Sequence, residues 1–247
     1  MVDRFSLIAA GMFALAPVVA AGQGHSSLAD RRLPTAGPFG EFTLQSPLGN
    51  DDCRVAVIRM AQLAKVALGF EAIPEEPLPP HAQRRRPEVA KGIALNGFTV
   101  GEALNAIMRE NGHYSWSERN GVFNVAAPGS ETDPANFLNR PVTDVRWSNV
   151  NVVGALDAIH RRFDASYTPT ITVNTGPPSS AESREEESRV FSVSMARGTL
   201  RDLLNAIVLA HGSAYWLVDY SGATRTFPDS RLALCGFAGQ CVVWSAR

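Results

Sequence analysis

The side chains best suited to nucleophilic, acid–base or metal chemistry in this 247-residue chain are five histidines and three cysteines. The histidines, His25, His81, His113, His160 and His211, are scattered. His25 and His81 fall in loop-like stretches, and His211 sits in the last turn of a predicted helix, where a cation meets the negative end favourably. Asp157 and His160 share one helix face at a spacing that lets a carboxylate orient an imidazole. No nucleophile lies near them, so they read as a surface pair. The chain contains no G-x-S-x-G, no H-E-x-x-H and no glycine-rich phosphate loop. The expectation is a protein with no catalytic residues, no metal ligands and no cofactor.

Cysteine usage points to structure instead. Cys235 and Cys241 bracket a short glycine-containing segment that a hairpin can hold at bonding distance. Oxidation there would stabilise by about 2 kcal/mol through lost loop entropy. A metal role for the pair lacks a second pair of ligands at suitable spacing. Cys53 reads as a small buried apolar residue at the start of the first helix rather than a reactive thiol. The net charge of −1 and a single basic cluster, Arg84 to Arg86, without interleaved aromatics argue against nucleic acid as a partner.

The elements that would position any site are duplicated. Residues 99 to 116, TVGEALNAIMRENGHYSW, return at 199 to 216 as TLRDLLNAIVLAHGSAYW, with Thr, Leu, Asn, Ala, Ile, Gly and Trp matched. Thr99 with Glu102, and Thr199 with Asp202, have the spacing of a helix N-cap and its reciprocal acid. Gly112 and Gly212 stand where a left-handed residue ends a helix. Between these signals Leu104, Ile107 and Met108, and likewise Leu204, Ile207 and Val208, form an apolar stripe. Asn120-Gly121, flanked by Tyr114, Trp116, Val122, Phe123 and Val125, predicts a two-residue hairpin turn. The second copy has Tyr215, Trp216, Val218 and Tyr220 before Ser221-Gly222. The matched tryptophans read as hairpin core.

An earlier helix is predicted in each half, over 52–68 and over 152–163. The first has a weaker stripe of Val55, Ile58, Gln62 and Val66, widened by Met60, Leu63 and Ala67, and caps among Asn50, Asp51 and Asp52. The second has Val152, Leu156, Ile159 and Phe163, capped by Asn149 or Asn151. Extended stretches are expected at 41–44, 69–73, 142–147 and 166–173. The fold class is therefore α+β: two tandem small domains, each strand, helix, strand, strand, helix, hairpin, with helices packed on a small sheet. The first spans 39–127, the second 139–247 with a C-terminal hairpin, and 128–138 is the linker. The polar insertions 77–88, with its arginines, and 175–188, with Glu185, Glu186 and Glu187, read as solvated loops.

The N-terminus carries an address. Arg4 precedes an apolar stretch from Phe5 to Val19 that is too short, and too interrupted by Gly11 and Pro17, to span a membrane. Val19-Ala20-Ala21 supplies the small residues of a signal-peptidase site. Residues 1–21 are expected to be an export signal and 22–38 a disordered segment. The mature chain would be periplasmic or secreted, without an integral membrane segment.

The capped helix and aromatic hairpin resemble the secretin and TonB short N-terminal domain and the related N-domains of secretins. Gly97, Thr99, Glu102, Ala103, Leu104, Gly112, Tyr114 and Asn120-Gly121 carry the resemblance in the first half. Gly198, Thr199, Asp202, Leu203, Leu204 and Gly212 carry it in the second. The resemblance implies an α+β module that works by contact with envelope or secretion-system proteins, here as a free-standing relative without a channel. The expected function is non-enzymatic protein–protein interaction in the bacterial cell envelope, through an exposed strand edge or a helix groove. The alternative is a small-ligand binder or enzyme using a cleft between the halves, near His160 and the 175–188 segment. That alternative requires a convergent polar pocket holding a perturbed titratable group.

Overall fold

The duplicated caps do what their spacing requires. In the computed structural model, which describes residues 27–34, 43–46, 48–74, 91–163, 170–173, 181–220, 230–237 and 241–245, helices α2 (Val100–Asn111) and α5 (Leu200–His211) begin after Thr99 and Thr199. The Glu102 amide donates to Thr99 Oγ1 at 3.2 Å while the Glu102 carboxylate accepts from the Thr99 amide at 2.7 Å. These bonds hold the Glu102 carboxyl below its ordinary range. Thr199 and Asp202 repeat the reciprocal pair at 3.2 and 2.9 Å. Both helices close on a left-handed glycine, Gly112 at φ 72° and Gly212 at φ 81°.

The other two long helices differ in how well their sequences located them. α3 (Val152–Phe163) has the expected bounds, and Asn151 Oδ1 caps it by accepting from the Gly154 amide at 2.9 Å. α1 runs over Asn50–Ala64, starting and stopping earlier than its predicted span, because Lys65 turns left-handed at φ 52° and sends Val66 toward the sheet. Its buried face is Cys53, Ala56, Val57, Met60, Ala61 and Ala64, while Val55 of the expected stripe is 60% exposed. Small residues around the bulky Met60 set this face.

The first half contributes strands β1 (Thr43–Ser46), β2 (Ala67–Glu71), β3 (Lys91–Ala94), β4 (Ser115–Arg119) and β5 (Val122–Ala126). The second contributes β6 (Pro141–Val150), β7 (Thr170–Val173), β8 (Phe191–Thr199), β9 (Ala214–Tyr220), β10 (Ser230–Gly236) and β11 (Cys241–Ser245), with the short helix α4 (Ala181–Ser188) before β8. The Asn120-Gly121 turn between β4 and β5 has φ of 53° and 82°, the doubly positive geometry that favours this dipeptide. In the second copy β9 and β10 pair antiparallel from Tyr220 and Ser230 onward, so the chain reverses over 221–229, outside the described residues, and not through a two-residue turn.

Each half repeats one wiring. β1 pairs antiparallel with β3, and β6 with β8, as two-stranded ribbons. The order β4-β5-β2 reappears as β9-β10-β7 with β11 inserted between the last two. The two sets are fused: β2 pairs parallel with β9, matching Leu68 to Tyr215 and Phe70 to Leu217, which makes one seven-stranded mixed sheet. One face carries Leu68, Phe70, Phe123, Val125 and Tyr215 against α1 and α2. The opposite face carries Trp216, Val218, Leu232 and Leu234 against α3, α5 and the β6–β8 ribbon. The fold is α+β, with the helices of the two halves on opposite sides of a shared sheet. Gly69 lets the fusion close, since a Cβ there would lie 2.1 Å from the Trp216 ring.

Two stretches that read as unstructured are built into this frame. Residues 27–34 form a short turn of 3₁₀ helix, and Leu33, 3% exposed, anchors them beside α2 through its amide bond to the Phe98 carbonyl at 2.8 Å. The acidic run at Glu185 to Glu187 lies in α4, where Glu186 is buried. Residues 1–26 and the arginine-rich insertion 77–88 lie outside the described residues.

Candidate functional site

The fusion seam between β2 and β9 holds most of the polar chemistry. Glu71, the last residue of β2, is 1% exposed and Arg201, in the first turn of α5, is 0% exposed. Arg201 Nη2 donates to Glu71 Oε2 at 2.6 Å, and the Ser130 hydroxyl donates to the same oxygen. Glu71 Oε1 accepts from Asn136 Nδ2 at 2.7 Å and from the Tyr220 hydroxyl at 2.8 Å. This set of donors offsets the desolvation of the carboxylate, while the guanidinium engages through Nη2 and keeps Nε and Nη1 buried without a hydrogen-bond partner among the described residues. The carboxylate belongs to the first half and its donors to the second half and to the segment that joins the two, so this cluster fastens the seam. Glu71, Arg201, Ser130 and Asn136 are buried, with Tyr220 part-buried at the rim, and the role of the cluster is architectural.

Sequence comparison of the copies carried a signal for this cluster. Arg201 occupies the place of Gly101 in the repeat. A Cβ at Gly101 would sit 3.2 Å from Ala29, so the first copy keeps a glycine where the 27–34 segment packs. The second copy places a guanidinium there to meet Glu71.

Outside the carboxyl ends of β2 and β9 lies a cleft of about 260 Å³, lined by Asn50, Asp51, Arg54, Phe70, Ile73, Tyr114, Asp219, Tyr220 and Arg231 among others. Arg54, on the first turns of α1, donates through Nη1 to Asp219 Oδ1 at 3.0 Å and through Nη2 to Asp51 Oδ1 at 3.2 Å. Burial raises the Asp219 carboxyl above its ordinary range, and Arg54 opposes that rise. The Tyr114 hydroxyl accepts from the Ile73 amide at 3.3 Å, and its ring packs on Phe70 with centroids 5.1 Å apart. A convergent polar pocket between the halves thus exists, but not beside His160 as the sequence led one to look.

The residues singled out from sequence are placed as follows. Cys235 and Cys241 face each other across β10 and β11 and are disulfide-bonded. Cys53 is fully buried, and burial pushes its thiol up to about 12, which leaves it protonated and inert. His160 is 4% exposed on α3, not at the surface, and Asp157 makes an ion pair with Arg161. His211 is buried between α4 and β9: its Nε2 lies 3.1 Å from the Glu186 carbonyl, and its Nδ1 accepts from the Ser213 amide at 3.4 Å. Those partners select the neutral ring with the proton on Nε2. Burial lowers its affinity for a second proton, against the pull of the Glu186 carbonyl, and Arg189 adds to the lowering. His113 is exposed, while His25 and His81 lie outside the described residues. No group of three or more potential metal ligands occurs among the described residues. No helix among them is long and apolar enough to cross a membrane.

Among the described residues the two outer strands of the sheet, β4 and β7, each pair on one side only, and they differ. β4 presents Glu118, which accepts from the Ser27 hydroxyl at 2.6 Å, and Arg119, paired with Asp202 at 3.3 Å. Charges on an edge discourage further strand pairing. β7 has the sequence Thr170-Ile171-Thr172-Val173, with no charge, proline or glycine, and pairs on one side with β11.

Comparison of the chain with protein-family models, with curated proteins and with solved structures finds no match to any.

Proposed function

We propose that this chain is an exported, non-enzymatic interaction module of the bacterial cell envelope, which takes an extended segment of a partner protein onto the β7 edge of its sheet. The observation that carries the reading is the asymmetry of the sheet ends, one strand charged and engaged, the other uncharged and paired on one side only among the described residues. Main-chain amides and carbonyls on such an edge supply affinity in strand-addition complexes. The likeness of both halves to secretin and TonB receptor N-domains, and the export signal read in residues 1–21, support an envelope setting.

The test is affinity capture from envelope extract with the mature chain and with a Thr172→Lys variant, which places a charge on the edge. A partner held by the parent chain and depleted at least about tenfold by the substitution supports the reading. Glu118→Lys, at the opposite end, is expected to leave capture unchanged. Equal retention by the parent and Thr172→Lys chains, with both folded by circular dichroism, removes β7 as the docking edge.

A further inference from the structure

We infer that the cleft outside the carboxyl ends of β2 and β9 is a separate binding site for a small apolar or aromatic carboxylate. Its position is the first support. β2 and β9 are adjacent parallel strands whose covering helices lie on opposite faces of the sheet. That change of side opens a crevice at the strands' carboxyl ends, the place where open sheets with helices on both faces bind ligands.

The second support is the balance of unused hydrogen-bonding groups. The cleft's two carboxylates, Asp51 and Asp219, are both committed to Arg54. The uncommitted groups are donors. Among the described residues no acceptor meets the Tyr114 hydroxyl proton, whose oxygen already serves the Ile73 amide, or the Asn50 side-chain amide nitrogen, whose oxygen serves Asn111 at 3.2 Å. Arg231 lines the same cleft, is exposed, and makes no ion pair with a described carboxylate. Arg231 also acts on Asp219 through space, but it makes no direct contact there, so a ligand that brings acceptors and a negative charge meets the Tyr114 hydroxyl, the Asn50 amide and the Arg231 guanidinium. The wall of Phe70, Tyr114, Ala72 and Ile73 selects an apolar body attached to that charge. A cationic ligand would have to strip Arg54 from both of its carboxylates, leaving a part-buried guanidinium unpaired.

The probes are phenylacetate and its uncharged isostere phenylacetamide, titrated into the purified chain by calorimetry and by amide chemical shifts. Phenylacetate is expected to bind and to shift the Ile73 and Arg231 amides, with phenylacetamide weaker by at least about tenfold. Arg231→Gln is expected to weaken phenylacetate by about tenfold without moving the melting temperature, since Arg231 is exposed. Tyr114→Phe, which keeps the ring packing, is expected to weaken it severalfold. Equal binding of the two probes, no binding of either at millimolar ligand, or an Arg231→Gln chain that binds phenylacetate like the parent each overturns the assignment. None of these results bears on capture at β7, so the two proposals fail separately.

Discussion

Asn105 and Asn205 hold the same place in the two copies, and each accepts a hydrogen bond from the matching tryptophan: Trp116 Nε1 at 2.9 Å, Trp216 Nε1 at 2.7 Å. The matched Asn and Trp are thus one interaction inherited twice. Burial separates the copies, because Trp216 is fully enclosed under α5 while Trp116 is only half covered. An indole N–H stranded without an acceptor costs about 1–3 kcal/mol when buried, and far less where water can replace the partner. Asn205→Ala is therefore expected to lower stability by about 1–3 kcal/mol in urea denaturation, and Asn105→Ala by under about 1 kcal/mol. Equal losses would mean that the two bonds are equally desolvated. The sequence made the matching of these residues visible but not their bond, since eleven positions between helix and strand follow no helical or strand period. Arg201 was hidden for a related reason: a repeat displays what is shared, and this residue matters where the copies diverge.

At the level of elements, caps and turns were the legible part because they are local: Thr99, Thr199, Gly112, Gly212 and Asn120-Gly121 each act on neighbours a few residues away. α4 was not legible. Its acidic run has no apolar stripe, and it is held from outside, by Glu186 against Gly236 and by Arg189 donating to the His211 carbonyl at 3.0 Å. His211 makes that docking sensitive to pH. Its ordinary value of 6.5 applies to the unfolded chain, and burial lowers it in the fold. The unfolded state then binds the proton more readily below 6.5, so this contribution to stability is complete above 6.5 and is lost as pH falls toward the folded-state value. The urea midpoint of the parent chain is expected to fall between about pH 7.5 and about pH 5.5 by more than that of a His211→Gln variant, which keeps polar atoms but cannot titrate. Asp219, raised by burial, works in the opposite sense at lower pH, so the difference between the two chains isolates His211. Parallel slopes for parent and variant would show that the ring is solvated in the fold.

For the molecule as a whole, α+β content and the duplication were readable, whereas the shared sheet was not. Parallel pairing of β2 with β9 joins strands from different halves with no turn between them to announce it, and only the match of Gly69 to Trp216 shows how closely they approach. The Glu71 to Arg201 cluster tests what that seam contributes. Its donors sit on α5, on β9 and on the connecting segment at Ser130 and Asn136, so breaking it acts on both halves at once. Arg201→Leu leaves a buried carboxylate facing neutral donors only, and Glu71→Leu leaves a buried guanidinium without its anion; either is expected to lower stability by about 3–5 kcal/mol. The double variant removes both charges and is expected to lie closer to the parent than either single variant. Because the sheet is continuous, the loss should appear as one cooperative transition. Native-state hydrogen exchange should give the Phe70 amide of β2 and the Leu217 amide of β9 the same opening free energy in the parent chain, lowered together in Arg201→Leu. If β2 instead opened at a free energy distinct from that of β9, the halves would be folding as independent units that merely touch, and the double variant would then be no less stable than the parent in either half.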